Sequence, residues 1–421
     1  MYADSGRRGL DRLEGVKELN NKKWLAVLLL GAFLLKCLLV LLHGGDYDYG
    51  SDDRGYLESA RILAEEGKFT YNDPDRPTFF ITPALPGVLA LVYKATGSLT
   101  ATAQIFRILQ AAMVAVALGL LFLAARRIFN ERTALWTVAI SSFYPPLWLM
   151  SLFIFTESMF LLALILLLYT ALRAMEHPTG RWAAAFGLIW AAAVYVRPTI
   201  ALWPGLIFLY YLYGAKLPWR RLVRCGLIAS AVFVLCLTPW WVRNYEASGG
   251  HFIPLTKAGG NPLLLGTYPF TVPALFMEEQ KTWHTTNDQW INDEQDTARA
   301  KERIKEGFAT KPLLYTAWYT VGKFALFWGD VFYWMALPGI PLVAAVLYHY
   351  LLLAAGVAGL RRCWRLPGAQ LILLLFGYLS LLHMIYLAHS RYSAPLMPLV
   401  AMFAAAYITG RLDRKRRPAA S

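Results

Sequence analysis

The stretch WLAVLLLGAFLLKCLLVLL, residues 24–42, holds a single charge, Lys36, in an otherwise apolar run. As a helix rising 1.5 Å per residue it covers roughly 28 Å, close to the hydrocarbon thickness of a bilayer. Comparable runs recur at 103–125, 133–150, 153–172, 182–196, 198–213, 222–242, 339–360, 369–388 and 392–410, giving ten spans with the first. The 421 residues are 57% hydrophobic and only 16% charged, whereas soluble domains carry about 25% charge. An ordinary soluble globular protein is excluded. The expected fold is all-α: a polytopic integral membrane protein with about ten transmembrane helices.

No small-residue cleavage pattern follows residue 42, so the first run is expected to be a retained helix rather than a cleaved signal. Lys36 would cost about 2.5–3.5 kcal/mol at the bilayer centre. It can snorkel to the interface or face the bundle interior, and snorkelling is the simpler expectation.

Lys plus Arg number 41 against 27 Asp plus Glu, a net charge of +14. In a soluble chain that excess would suggest nucleic acid, but here it sorts by connection. Arg126, Arg127 and Arg132; Arg173 and Arg181; Lys216, Arg220, Arg221 and Arg224; Arg361, Arg362 and Arg365; and Arg411 to Arg417 occupy alternate loops. Those loops are expected to be cytoplasmic.

The expected organisation therefore starts with a cytoplasmic segment 1–23. Spans one to seven fill 24–242 and include an outer loop at 43–102; a second outer loop, with interfacial helices, covers 243–338. Spans eight to ten fill 339–410, and a basic cytoplasmic tail covers 411–421. The apolar stretch Leu313 to Trp334 would, as an eleventh span, reverse the last basic loops, so it is read as an amphipathic interfacial helix.

The first outer loop is rich in acids: Asp46, Asp48, Asp52, Asp53, Glu58, Glu65, Glu66, Asp73 and Asp75. Within it Tyr56, Leu57, Ala60, Leu63 and Ala64 recur with helical spacing, and Gly67 ends the pattern. A second helix is expected in TPALPGVLALVYKATG, residues 82–97, and a polar one over Asn292 to Phe308.

Chemistry-bearing residues gather at the outer ends of the predicted spans. Asp52 and Asp53 open the first loop helix, where a helix N-terminus favours a carboxylate, either as a base or as a cap. Glu157 opens a span in FTES, Arg197 precedes Pro198 in a short turn, Arg243 follows a span in TPWWVRNY, and Arg391 opens the last span in HSRYSAPLMP. Arginine suits phosphate because its planar fork binds two oxygens; the plainer reading is that each arginine anchors a helix end. Asp46-Tyr47-Asp48 is formally a metal-holding DxD but is read as solvated loop, and the four scattered cysteines form no CxxC pair. No cofactor is expected, a divalent metal being the alternative left open. Gly-rich nucleotide loops, GxSxG and HExxH are absent from the sequence.

In order along the chain, Asp52-x-x-x-Tyr56-x-x-x-Ala60, Pro83-x-x-Pro86-Gly87, Thr156-Glu157, Arg197-Pro198, Pro239-Trp240-Trp241-x-Arg243-Asn244-Tyr245 and Arg391-Tyr392 resemble the GT-C glycosyltransferases. Within that superfamily the pattern is similar to the bacterial protein-mannosyltransferase-like and aminoarabinose-transferase-like branch. The resemblance implies inverting transfer of a sugar from a polyprenyl-phosphate carrier to a lipid, glycan or protein acceptor, at the outer face of the bacterial cytoplasmic membrane. It implies membrane lipids as surroundings and no nucleic acid.

Asp52 matches the family's proposed base, with Asp53 as the alternative. The donor phosphate and substrate are expected at Arg243, Arg391, Arg197, Glu157, Tyr56, Tyr392, Asn244 and His389. Where the aminoarabinose enzymes carry a Glu-Lys pair, this chain has Ile81-Thr82. The competing class is a polytopic transporter or a flippase for lipid-linked sugars. It would advertise broken helices and paired repeats, and the sequence shows neither.

Overall fold

Helices dominate the structure, a computed structural model that describes residues 2–48, 50, 52–214, 218–270, 272–273, 275–284, 286 and 288–416, without the side chains of 2–19 and 413–416. Lys216 and the end of the basic tail from Arg417 lie outside the described residues. The first helices are α1 (Tyr2–His43), α2 (Asp52–Glu66), α3 (Ala84–Thr96), α4 (Leu99–Ile128), α5 (Glu131–Ser142), α6 (Pro146–Leu152), α7 (Glu157–Glu176), α8 (Gly180–Val196), α9 (Trp203–Leu209) and α10 (Trp219–Ala247). Then come α11 (Gly260–Leu265), α12 (Phe276–Gln280), α13 (Gln289–Thr310), α14 (Pro312–Ala317), α15 (Lys323–Gly329), α16 (Leu342–Cys363), α17 (Pro367–Ile385), α18 (Ser390–Ser393) and α19 (Met397–Arg416).

Among the described residues, seven helices are long and apolar enough to cross a membrane: Asn20–Asp46, Leu99–Ile128, Glu157–Glu176, Trp219–Ala247, Leu342–Cys363, Pro367–Ile385 and Ser390–Leu412. The other three of the ten predicted spans are shorter or interrupted. The run 133–150 splits into α5 and α6 at Pro145-Pro146, and 198–213 becomes a 3-10 turn at Pro198–Ile200, the short α9 beginning Trp203-Pro204, and a π segment at Tyr210–Gly214. Proline removes a backbone donor and clashes with the preceding turn, so both runs break where prolines fall. The run 182–196 forms α8, a single helix of 17 residues. The stretch from Leu313 to Trp334 is likewise discontinuous, with a π segment at Trp318–Gly322 between α14 and α15.

The core sits between α4, α7 and α19, where Leu118, Leu121, Leu164, Leu168, Leu399 and Phe403 are wholly buried. Peripheral helices turn bare apolar side chains outward: Leu41 is 64% exposed on α1, Leu235 71% on α10 and Leu351 70% on α16. Such a belt suits hydrocarbon rather than water. Close helix crossings need small residues. A Cβ at Gly187 would strike the Ala229 carbonyl and one at Gly359 the Phe403 carbonyl, so glycine lets α8 approach α10 and α16 approach α19.

Lys36 corrects the snorkelling expectation: it is 2% exposed and lies 5.5 Å from the Trp148 ring centroid, facing the bundle. The predicted stripe of α2 packs as expected, with Ala60 fully buried beside Leu85, Leu89 and Phe106. Gly67 adopts φ 71° and Gly97 φ 65°, conformations that glycine reaches without a Cβ penalty, and they end α2 and α3. Arg127 and Arg173 share Glu176 at 2.6 and 3.0 Å. This basic cluster lies at the C-terminal ends of α4 and α7, a full helix length from Glu157.

Candidate active site

Four helix ends bring charge together. Glu157 is the first residue of α7, placed at a helix N-terminus where an acid is stabilised. Arg197 caps α8, which Pro198 stops. Arg391 lies in α18, whose entry is fixed by the Ser390 Oγ hydrogen bond to Asp330 Oδ2 at 2.6 Å. Asp52 opens α2.

The resulting chain of ion pairs runs Arg197–Glu157–Arg391–Asp52. Arg197 Nη2 donates to Glu157 Oε1 at 2.6 Å and its Nε donates to Thr156 Oγ1 at 2.8 Å. Arg391 Nε donates to the same Glu157 oxygen, and its Nη1 donates to Asp52 Oδ2 at 2.8 Å. Glu157 is completely buried, and its Oε2 has no hydrogen-bond partner among the described residues. Arg391 also lies 3.9 Å from the Phe155 ring centroid, and Arg197 5.3 and 5.4 Å from those of Phe160 and Tyr392. Aromatic faces hold each guanidinium plane.

Beside this chain opens a cavity of about 480 Å³ whose lining includes Asp52, Tyr56, Thr82, Arg197, Arg391 and Tyr392. The Asp52 side chain is 41% exposed, with Oδ2 held by Arg391 and no hydrogen bond to Oδ1 among the described residues. Arg391 Nη2 and Arg197 Nη1 likewise carry no hydrogen bond among the described residues. The cavity thus combines a half-open carboxylate with two largely buried arginines on its wall. Burial, with the adjacent Asp52 charge, pushes the Tyr56 phenol up, so it stays a neutral hydroxyl at physiological pH.

Several expected site residues lie elsewhere. Arg243 is absent from the cavity lining: its Nη1 donates to the Thr78 carbonyl at 2.7 Å and its Nη2 to the Phe69 carbonyl at 3.1 Å, between the rings of Phe69, Phe79 and Trp240. It clamps the first loop to α10. Asn244 supports that clamp, accepting from Arg243 at 3.0 Å and donating to the Ile253 carbonyl at 3.3 Å. Neither residue lines this cavity in the structure.

Asp53 is 2% exposed and accepts the Arg54 amide at 3.0 Å, outside the cavity lining. His389 also lies off the lining, packed 4.8 Å from the Trp334 ring centroid, where its Nδ1 accepts the Arg391 amide at 3.4 Å. The DxD does not converge: Asp46 pairs with His43 at 3.3 Å, while Asp48 binds Arg54 at 2.8 Å, which holds its carboxyl at about 2.

The sequence reading missed Tyr378, His383 and Tyr386 of the cavity wall on α17 and its C-terminal end, and Thr256 and Ala258 of the second loop. His383 stacks on Tyr392 with ring centroids 4.7 Å apart.

Arg243→Ala should therefore act on stability. It removes the donors of two loop carbonyls, each worth about 1–3 kcal/mol when left unsatisfied. A thermal melt of the detergent-purified protein should fall. Unchanged melting in Arg243→Ala would remove the clamp.

The helical bundle, with its charged cavity at helix ends, is similar in fold to solved structures of an archaeal membrane oligosaccharyltransferase. The archaeal oligosaccharyltransferase AglB from Archaeoglobus fulgidus, solved with an inhibitory peptide and dolichol-phosphate, superposes with a TM-score of 0.57 at 14% identity, over 93% of this chain and 51% of that one. Its apo form gives 0.58 at 14% identity, over 94% and 51%. This chain thus spans about half the length of AglB. ArnT from Cupriavidus metallidurans, bound to undecaprenyl phosphate, is 19% identical over 92% of this chain and 78% of that one, with a TM-score of 0.42. More particularly, residues 81–242 match the family described as dolichyl-phosphate-mannose-protein mannosyltransferase. A comparison with curated proteins finds no match.

Proposed function

We propose that this chain is an inverting glycosyltransferase that moves a sugar from a polyprenyl-phosphate carrier to an acceptor hydroxyl. The observation that carries the reading is the pairing of Asp52 with Arg391 on one cavity wall, with Arg197 beside them. An acceptor oxygen attacks the anomeric carbon, its C–O bond forms as the sugar–phosphate bond breaks, and the acceptor proton passes to Asp52. The leaving lipid phosphate gains one negative charge as Asp52 loses one, so Arg391 can give its charge over to phosphate while the cavity's net charge is unchanged.

A second feature supports a lipid-borne donor. An apolar groove of about 810 Å³ runs along α17 past Leu374, Gly377 and Leu381 and shares Tyr378 and Leu382 with the cavity. A polyprenyl chain lying in it would present its phosphate to the arginines, with no water-exposed apolar tail. AglB was solved with dolichol-phosphate and ArnT with undecaprenyl phosphate, which is consistent with this donor class. The test is transfer of labelled sugar from a purified polyprenyl-phosphate donor, with Asp52→Asn as the control. Uptake of lipid-linked sugar into vesicles without transfer would support a flippase instead.

The membrane proposed is the bacterial cytoplasmic one, with the cavity on its outer side, because the basic connections lie at the opposite helix ends. In a background free of native cysteine, Asp75→Cys and Glu246→Cys should react with an impermeant maleimide in whole cells, and Thr179→Cys only after permeabilisation. Labelling of Thr179→Cys from outside would invert the topology.

A further inference from the structure

A second recess, of about 540 Å³, lies between the two long loops and is lined by Asp73, Arg76, Phe79, His251, Asp288 and Trp290, among others. A wall about one residue thick separates it from the catalytic cavity. The segment 77–82 contributes to both: Pro77 and Phe79 line the recess, Phe80 and Thr82 the cavity. The segment 256–258 repeats the pattern. Thr256 and Ala258 line the cavity, while Lys257 turns its ammonium to the Trp290 ring, 4.5 Å from the centroid. The Lys257 amide donates to the Phe79 carbonyl at 2.8 Å and ties the two segments together. Tyr71 completes the wall, lining the recess while stacking 5.8 Å from Phe80 and lying 5.6 Å from Tyr56 of the cavity.

We infer that this recess is a saccharide-binding subsite that holds a sugar unit of a glycan acceptor beside the one attacked in the cavity. Its chemistry selects that class. The volume is that of a small-molecule site, about 300–1,000 Å³. Trp290 meets Phe79 edge to face with centroids 6.2 Å apart and His251 at 5.4 Å, and Lys257 lies over one face of its ring, so the opposite face is the aromatic surface offered to the C–H face of a pyranose. Arg76 stands between Asp288 at 3.3 Å and Asp73 at 3.8 Å, setting paired acceptors beside donors for vicinal hydroxyls. The two carboxylates repel a phosphate or sulfate, and this polar lining does not suit an acyl chain.

These polar groups are held in place rather than loose. Asp288 accepts the Trp290 amide at 2.8 Å, and Gln289 bridges the loops, donating to the Tyr71 carbonyl at 2.5 Å and accepting from Thr78 Oγ1 at 2.8 Å. A preformed lining loses less ordering entropy on binding.

The acceptor role rests on the transferase reading above, so the experiment separates the two. Full-length protein in detergent is mixed with free cellobiose, mannobiose, chitobiose or galactobiose, and with a serine- and threonine-containing peptide. Saturation-transfer NMR then reads binding, and a parallel thermal shift with undecaprenyl phosphate reads the cavity. At least one disaccharide should show transfer to its ring C–H protons. The signal should fall at least ten-fold in Trp290→Ala and in Asp73→Asn, and be partly kept in Trp290→Phe.

Stabilisation by undecaprenyl phosphate should persist in the Asp73→Asn protein, which shows that the fold and cavity are intact. No transfer from any disaccharide, a signal from the peptide alone, or a saccharide signal that survives both substitutions would overturn the subsite. Failure of undecaprenyl phosphate to stabilise the wild-type protein would count instead against the donor cavity.

Discussion

Asp52→Asn is expected to lower sugar transfer by about 10²–10⁴-fold, the usual contribution of a general base. The amide keeps the shape of the carboxylate and can still accept from Arg391 Nη1, so melting temperature and lipid-phosphate binding should change little. What it loses is the capacity to take a proton. Asp53→Asn should leave turnover within a few-fold of wild type, because Asp53 is buried away from the cavity, against the Arg54 amide. The measurement is single-turnover transfer from a purified polyprenyl-phosphate sugar in both proteins. Near wild-type turnover in Asp52→Asn together with a large loss in Asp53→Asn would exchange their roles and require the loop helix to rotate.

The contrast between these adjacent acids shows what a linear sequence conceals. Consecutive residues on a helix point about 100° apart; Asp52 lines the cavity and Asp53 does not, and spacing alone does not say which. Arg243 illustrates the same limit. Like Arg197 and Arg391 it stands near a helix end, but position along the chain carries no azimuth. Around the bundle its guanidinium meets the carbonyls of Phe69 and Thr78 instead of the cavity.

The helical membrane architecture was legible because hydrocarbon tolerates little charge, and the apolar runs record that constraint directly. Continuity was less legible. The runs at 133–150 and 198–213 keep their hydropathy across Pro145-Pro146, Pro198 and Pro204, which interrupt the helix without altering the apolar count. His383, Tyr378 and Tyr386 raised no signal, since a neutral group in an apolar span has little of the energetic cost that marks a buried charge. Glu157 and Arg391 were visible for that very cost, and the structure joins them.

Glu157→Ala is expected to destabilise the protein by about 3–5 kcal/mol, the loss seen when one partner of a buried ion pair is removed. Glu157 is wholly buried, and one of its oxygens serves both Arg197 and Arg391, so its removal leaves two guanidinium groups short of a counter-charge. Arg391 would keep the Asp52 carboxylate at 2.8 Å, whereas Arg197 would keep the neutral Thr156 hydroxyl at 2.8 Å and the ring faces of Phe160 and Tyr392, with no acid partner among the described residues. Arg197 should therefore shift most, and with it the cation nearest Tyr392 on the cavity wall.

The consequence for activity follows from the same charges. With Glu157 in place the four groups balance, so an entering phosphate meets guanidinium nitrogens whose orientation is already set. Without it, a lipid phosphate would be drawn in more strongly but less precisely, and Arg391 would bind Asp52 more tightly, making that carboxylate a poorer base. Glu157→Ala should thus bind undecaprenyl phosphate at least as well as wild type in the folded fraction while losing turnover. Glu157→Gln should keep part of the geometry and fall between. Thermal unfolding and lipid-phosphate titration on the three proteins decide it. Wild-type melting and turnover in Glu157→Ala would mean that Arg391 and Arg197 are held by the aromatic rings of Phe155 and Phe160 alone.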